Sequence, residues 1–159
     1  MTSRRQDDQS TTAAQIWRHL RAVVLDQHNH RAEACAVLDL SFIRMKALLQ
    51  VATGPTTMRL LAEVLNIDRP YLTLVVDNLE FRGLVRRDQH PDDRRAKVVT
   101  ITSAGAQVSA TADQILNRPP AALLALGERD LADLGRVLDL LDTLTAAGAV
   151  AARAVERQS

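Results

Sequence analysis

The sequence predicts a mainly α-helical fold with a small β-hairpin wing: a winged helix-turn-helix with additional helices at both ends. Three observations lead there. Alanine- and leucine-rich segments repeat their apolar residues at helical spacing along most of the chain. Two of these segments are joined by the tight turn Asn66-Ile67, the outline of a helix-turn-helix. Directly after them the period changes, and two short runs rich in β-branched residues flank a polar, charged tip.

Each element follows from a local signal. Between about Thr12 and His30, Ile16, Leu20, Val23 and Val24 recur at helical spacing, and the polar stretch over 26–34 is expected to end this first helix. Ser41 is placed to cap a second helix carrying Phe42, Met45, Leu48 and Leu49, which Gly54-Pro55 stops. Thr56 or Thr57 caps a third, with Met58, Leu61, Ala62 and Leu65 on one face. Asp68 caps a fourth, which tolerates Pro70 in its first turn, buries Leu72, Val75, Val76 and Leu79, and ends at Gly83. Leu84 to Arg87 and Lys97 to Thr102 read as the two strands of the wing. A helix from Ser103 to about Asn117 precedes the breaker Pro119-Pro120. The last helix, from about Glu128 onward, sets Leu131, Leu134, Leu138 and Leu141 at alternating steps of three and four, a seam for a partner helix.

With 159 residues, and neither linker nor solenoid-period repeat, the chain reads as one domain over 1–159. Within it, about 38–103 is the winged-helix lobe, and about 12–34 and 104–157 hold the terminal helices. Twenty Lys and Arg stand against 19 Asp and Glu, a formal net charge of +1, which excludes both a uniformly basic nucleic-acid coat and an acidic disordered tail. A nucleic-acid surface therefore requires local segregation of charge, and the sequence has it. Arg82, Arg86, Arg87, Arg94, Arg95 and Lys97 outnumber Asp88, Asp92 and Asp93 around the wing, whereas the last helix is rich in acid: Glu128, Asp130, Asp133, Asp139 and Asp142. In the helix over 68–82, Pro70, Leu74, Asp77 and Phe81 point outward, flanked by Tyr71, Thr73 and Asn78. Arg69 and Thr73 can reach phosphates, Tyr71 and Asn78 phosphates or base edges, and Pro70 or Leu74 a thymine methyl.

Other chemistries find little footing. Phosphate-binding loops, dinucleotide-binding glycine patterns, nucleophile elbows and zinc-protease motifs are all absent from the sequence, so catalysis and a bound cofactor are not expected. His28, His30, Glu33 and Cys35 lie near one another but follow no standard ligand spacing, and no metal is expected. Cys35, the single cysteine, excludes an intramolecular disulfide and reads as a small buried hydrophobe in a reducing compartment. Trp17 reads as an anchor of a dimer core, with a ligand pocket as the other use. The first residues lack the apolar run of a secretion signal, and no stretch reaches the ~18 apolar residues of a membrane span, so a cytoplasmic protein without membrane association is expected.

The series Leu61-Ala62-Glu63, Asp68-Arg69, Val75 to Glu80, Arg82 to Arg87, and Asp93-Arg94-Arg95-Ala96 through Ile101-Thr102 to Gly105 resembles the multiple-antibiotic-resistance regulator (MarR) family of winged helix-turn-helix transcription factors. In that family an Asp-x-Arg wing leads into a Leu-Thr-x-x-Gly strand exit, read here as Ile101-Thr102-Ser103-Ala104-Gly105. The resemblance implies a homodimer whose terminal helices intertwine, with Ile16, Leu20, Leu131, Leu134, Leu138 and Leu141 as dimerisation residues. It implies a repressor released by a small effector, usually aromatic or phenolic, that binds a pseudo-palindromic operator in double-stranded DNA with helix 68–82 and wing 86–98. Arg69, Tyr71, Thr73, Asn78, Arg86, Arg94, Arg95 and Lys97 become the DNA-binding set; Arg95 enters the minor groove and Asp93 braces it. Pro70 and Leu74 stand where the family usually has Ser or Thr and a basic residue. Two other functions stay open: a winged-helix protein-interaction module, favoured by the apolar Leu74 and Phe81, and a regulator switched by oxidation of Cys35.

Overall fold

In a computed structural model of the chain, the structure describes residues 2–27, 29–89 and 97–156, with side chains over 10–25, 29–89 and 97–147. The chain divides into two compact units, Met1–Arg118 and Pro119–Ser159.

In the first unit, α1 (Thr2–Arg21) runs on into a π-helical segment, Ala22–Gln27. The polar stretch expected to be an irregular stop instead contains the start of a helix, α2 (His30–Leu38). Asn29 caps it by accepting the Ala32 N–H at 3.1 Å, and Asp39 ends it in the left-handed conformation at φ 49°. Its sequence hid it because packing and caps, not an amphipathic period, hold it: Ala34 is its one fully buried residue, with Cys35 and Leu38 packed at the edge of the core. In α3 (Phe42–Ala52), Met45, Ala47, Leu48 and Val51 are buried. Ser41 occupies the cap position without capping; its hydroxyl accepts from Arg44 Nη1 at 3.3 Å instead.

Thr56 and Thr57 form a short strand, β1, which two residues are too few to announce by period. Thr57 then caps α4 (Met58–Leu65) by accepting the Leu60 N–H at 3.2 Å. Asn66, left-handed at φ 52°, turns the chain toward α5 (Arg69–Phe81), where Asp68 accepts the Tyr71 N–H at 2.7 Å. The wing strands β2 (Val85–Gln89) and β3 (Lys97–Ile101) pair antiparallel from Val85 opposite Ile101 to Gln89 opposite Lys97. On its other edge β3 pairs with β1, so the sheet has three strands in the order β1-β3-β2. Helix α6 (Ser103–Leu116) closes the unit. The core gathers Met45, Leu48 and Val51 of α3, Leu61 and Leu65 of α4, the Leu72, Val75, Val76 and Leu79 face of α5, Val85, Val99 and Ala112. At ~1.5 to 3 kcal/mol per fully buried side chain, this core fixes α5 against the sheet.

The strand exit is the tightest joint. The Thr102 hydroxyl lies 2.7 Å from the Gly83 carbonyl and 3.1 Å from that of Leu84, to either of which it can donate, and it accepts the Gly105 N–H at 3.0 Å. One side chain thus caps α6 and ties it to the turn that ends α5. The close approach needs glycine at 105, where an added Cβ would sit 1.9 Å from the Leu84 carbonyl oxygen. The Thr-x-x-Gly spacing therefore has a steric cause.

In the second unit, α7 (Ala121–Leu124) is a single turn after Pro120 that the sequence reading did not anticipate, and α8 (Glu128–Glu156) is the long terminal helix. Leu131, Leu138 and Leu141 of its seam are exposed and Leu134 is half-buried. Among the described residues, no helix is long and apolar enough to cross a membrane.

Gly105→Ala should lower the stability of the fold by at least ~2 kcal/mol, because the obstructing atom is backbone rather than a side chain that can swing aside. Urea denaturation followed by circular dichroism reads this directly; a midpoint within error of wild type would contradict the joint described here.

Candidate nucleic-acid interface

Four core residues on one face of α5 leave the opposite face outward. Pro70, Tyr71, Thr73, Leu74, Asp77 and Phe81 are exposed there, and Asn78 is half-buried. Arg69 opens the helix, exposed, at the mouth of an open cleft around the helix-turn-helix corner that Arg59, Glu63, Asn66 and Asp68 also line. The Thr73 hydroxyl donates to the Arg69 carbonyl at 3.0 Å, so its proton is engaged within the helix. On the wing, Arg86 is exposed and its Nε lies 3.0 Å from Asp88 Oδ2, while Lys97 is exposed at the start of β3. The expected wing-tip residues Asp93, Arg94 and Arg95 lie outside the described residues.

Two members of the basic series are engaged within the fold, Arg87 mostly covered and Arg82 still exposed. Arg87, with its side chain 19% exposed, turns back onto α5. Its Nε donates to Glu80 Oε2 at 2.9 Å, its Nη2 reaches both that oxygen and Asp77 Oδ1, and its backbone N–H donates to Glu80 Oε1 at 3.0 Å. The Arg87 hydrogen bond holds the Glu80 carboxyl below its ordinary pKa against the opposing effect of burial, and the same bond raises the guanidinium further. Asp77, read as an outward position, is thereby committed to the wing. Arg82 likewise ties the end of α5 to the turn after α2, its Nη1 and Nη2 donating to the carbonyls of Asp39 and Leu38, the latter at 3.2 Å. A signal for Arg87 was present: two carboxylates three residues apart on one helix call for a cationic partner, and Asp77 and Glu80 lie ten and seven residues before this arginine.

Away from this face, Ile16 and Trp17 of α1 are exposed and Leu20 is half-buried. Cys35 is half-buried against the core rather than enclosed by it. His30 Nδ1 lies 3.5 Å from Glu33, and Arg118 reaches both, donating to Glu33 and standing 3.3 Å from His30 Nδ1. This arginine is the main cause of a lowered Glu33 pKa, and it brings a cation where a metal would have to sit. His28 lies outside the described residues.

A helix-turn-helix whose second helix is braced to a stranded wing defines the winged-helix class. Residues 52–97, which span α4, α5, β2 and the chain up to the first residue of β3, match the model of the MarR family. The fold is that of MarR from E. coli in its apo form, at 24% identity over 78% of this chain and 93% of that one, with a TM-score of 0.66. A mutant of that protein solved with operator DNA matches at 24% identity over 79% and 92%, TM-score 0.58. The transcriptional regulator BldR from Sulfolobus solfataricus matches at 26% identity over 86% and 96%, TM-score 0.58. The similarity read from the sequence therefore holds over the segment that carries it: residues 52–97 match the MarR family, and the fold is similar to that of the winged-helix regulators.

Arg87→Ala should lower stability by ~1.5 to 3 kcal/mol, the range for hydrogen bonds to charged groups, whereas Arg86→Ala should change it by less than ~0.5 kcal/mol. Because the folded pKa of Glu80 is depressed, its contribution is present above the ordinary value of 4.5 and is lost as pH falls through the folded value. The urea midpoint of wild type should accordingly exceed that of Glu80→Gln at pH 7 and converge with it under acid. A constant gap down to pH 3 would contradict the pairing.

Proposed function

We propose that the chain is a homodimeric transcriptional regulator that binds a pseudo-palindromic DNA operator with the helix over 68–82 and the wing over 86–98. The observation that carries this reading is the unpacked outer face of α5, with exposed cations at Arg69 on the helix and at Arg86 and Lys97 on the wing strands, and with its carboxylates paired to Arg87, which offsets one of their two charges. A duplex offers a groove about 12 Å wide that admits such a helix, with phosphates at both lips. Cations at the edges position the protein, and the exposed helix face meets the bases. The E. coli MarR mutant solved with operator DNA supports the same use of this fold.

The roles of Arg94 and Arg95 come from the wing motif: Arg95 enters the flanking minor groove, where negative potential is concentrated, and Asp93 orients it. Dimerisation is supported by apolar side chains that each unit leaves uncovered, Ile16 and Trp17 on α1 and the leucines of α8. Covering them would stabilise a dimer by ~1.5 to 3 kcal/mol per fully buried side chain. Two-fold symmetry then sets the half-sites about 34 to 36 Å apart. Repression in the cytoplasm, relieved by a small aromatic or phenolic effector that changes the placement of the two reading heads, completes the proposal.

Fluorescence anisotropy with the DNA upstream of the protein's own gene, at two salt concentrations and against a scrambled duplex, tests this reading. Tight, sequence-selective binding is expected, and Arg95→Ala or Lys97→Ala should each weaken it and reduce the salt slope by about one. Equal and weak binding to both duplexes would overturn the reading in favour of a protein-interaction module. Separately, Leu138→Glu with Leu141→Glu should convert a dimer into a monomer in sedimentation equilibrium; an unchanged mass would refute the leucine seam as the interface.

A further inference from the structure

We infer that Leu74 is the base-reading side chain of this protein and that it reads the C5-methyl group of thymine in the major groove. The inference rests on the DNA-binding reading above and deepens it to a specificity.

Helices of this kind meet bases with their N-terminal turns. In α5 those turns expose Arg69, Pro70, Tyr71, Thr73 and Leu74. The polar candidates withdraw one by one. The Thr73 hydroxyl donates to the Arg69 carbonyl, Asp77 is held by Arg87, and Asn78 is half-buried a turn further on. What remains is Pro70, Leu74 and the ring of Tyr71 with its single hydroxyl, beside one cation, so that the purely hydrocarbon side chains of these turns are Pro70 and Leu74.

Leu74 is the side chain among these without a structural use. It is 64% exposed, whereas Leu72, Val75, Val76 and Leu79 supply the packing of α5 and are at most 1% exposed. Its isobutyl group also reaches further from the helix than the rigid ring of Pro70. Of the edges that base pairs present in the major groove, the apolar one is the thymine methyl, and that is what a leucine can distinguish. Phe81 is more exposed still, at 91%, but it lies seven residues and ~10 Å further along the axis, at the end of α5 away from the turns that enter the groove. Arg69 is exposed on the same first turn of α5, and Arg86 and Lys97 are exposed on the wing strands; these cations match phosphates, which favours a duplex over an apolar protein partner as the occupant of this face.

The test begins with duplexes enriched from a random pool by the full-length protein. Each thymine of the enriched duplex is then replaced singly by 2′-deoxyuridine, which removes the methyl group and nothing else, and binding is measured by anisotropy. Replacement at one thymine per half-site should weaken wild-type binding roughly fourfold for each methyl removed. Leu74→Ala should weaken binding to the thymine duplex by a similar factor and no longer distinguish thymine from deoxyuridine at that position, while Phe81→Ala retains the distinction. Leu74 is exposed, so the substitution leaves the core intact. Selective binding that no deoxyuridine weakens, or Leu74→Ala with wild-type sensitivity at every position, overturns the assignment while leaving DNA binding in place. Failure to enrich any duplex overturns both.

Discussion

One guanidinium adds a directional polar constraint to the apolar core that holds α5 against the wing strands. Arg87 leaves β2, turns back, and engages the carboxylates of Glu80 and Asp77 while its own amide is held by Glu80. Because the arginine side chain is mostly covered, the contact is less screened than a surface ion pair, and its several hydrogen bonds restrict orientation as well as distance. A strand and a helix that would otherwise share only apolar packing become one rigid body. The Thr102 and Gly105 joint does the same at the other end, holding β3 and α6 to the turn after α5.

This strut also shapes the electrostatics of the face it supports. In the proposed DNA-binding role, Asp77 and Glu80 left unpaired would repel phosphates along this helix. Pairing both with Arg87 offsets one of the two negative charges at the expense of one cation of the wing, and Arg82 is tied to the turn after α2. The local excess of positive charge read along 82–97 is thus smaller at the surface than in the sequence. Arg69, Arg86 and Lys97 remain exposed among the described residues, and Arg86 has Asp88 beside it. An interface of this kind relies on where its cations stand more than on their number.

Elements that carry their own chemistry could be read in advance. Asp68 and Thr57 cap the helices they were expected to cap, and the buried faces of α4 and α5 follow the i, i+3, i+4, i+7 pattern. Helix α2 escaped because a single small residue, Ala34, is its fully buried contact, and β1 because two residues define no period. Ser41 shows the converse, a capping residue type whose hydroxyl is diverted to a nearby arginine. At the interface, exposure of Tyr71 and Leu74 was legible from the helical period; the carboxylates at 77 and 80 called for a cation without naming Arg87, and nothing announced the role of Arg82. Those roles depend on which side of a strand faces α5 and on a turn some forty residues away in sequence.

If Arg87 makes helix and wing one reading unit, the footprint on DNA should reveal it. Hydroxyl-radical cleavage of an operator bound by wild-type protein should show two protected half-sites about one helical turn apart, each flanked by protection of the minor groove where the wing lies. Arg87→Ala, at protein concentrations that saturate the site, should keep the half-site protection given by α5 and lose the flanking protection. An identical footprint for both proteins would contradict the account, because the wing would then find its groove without the strut.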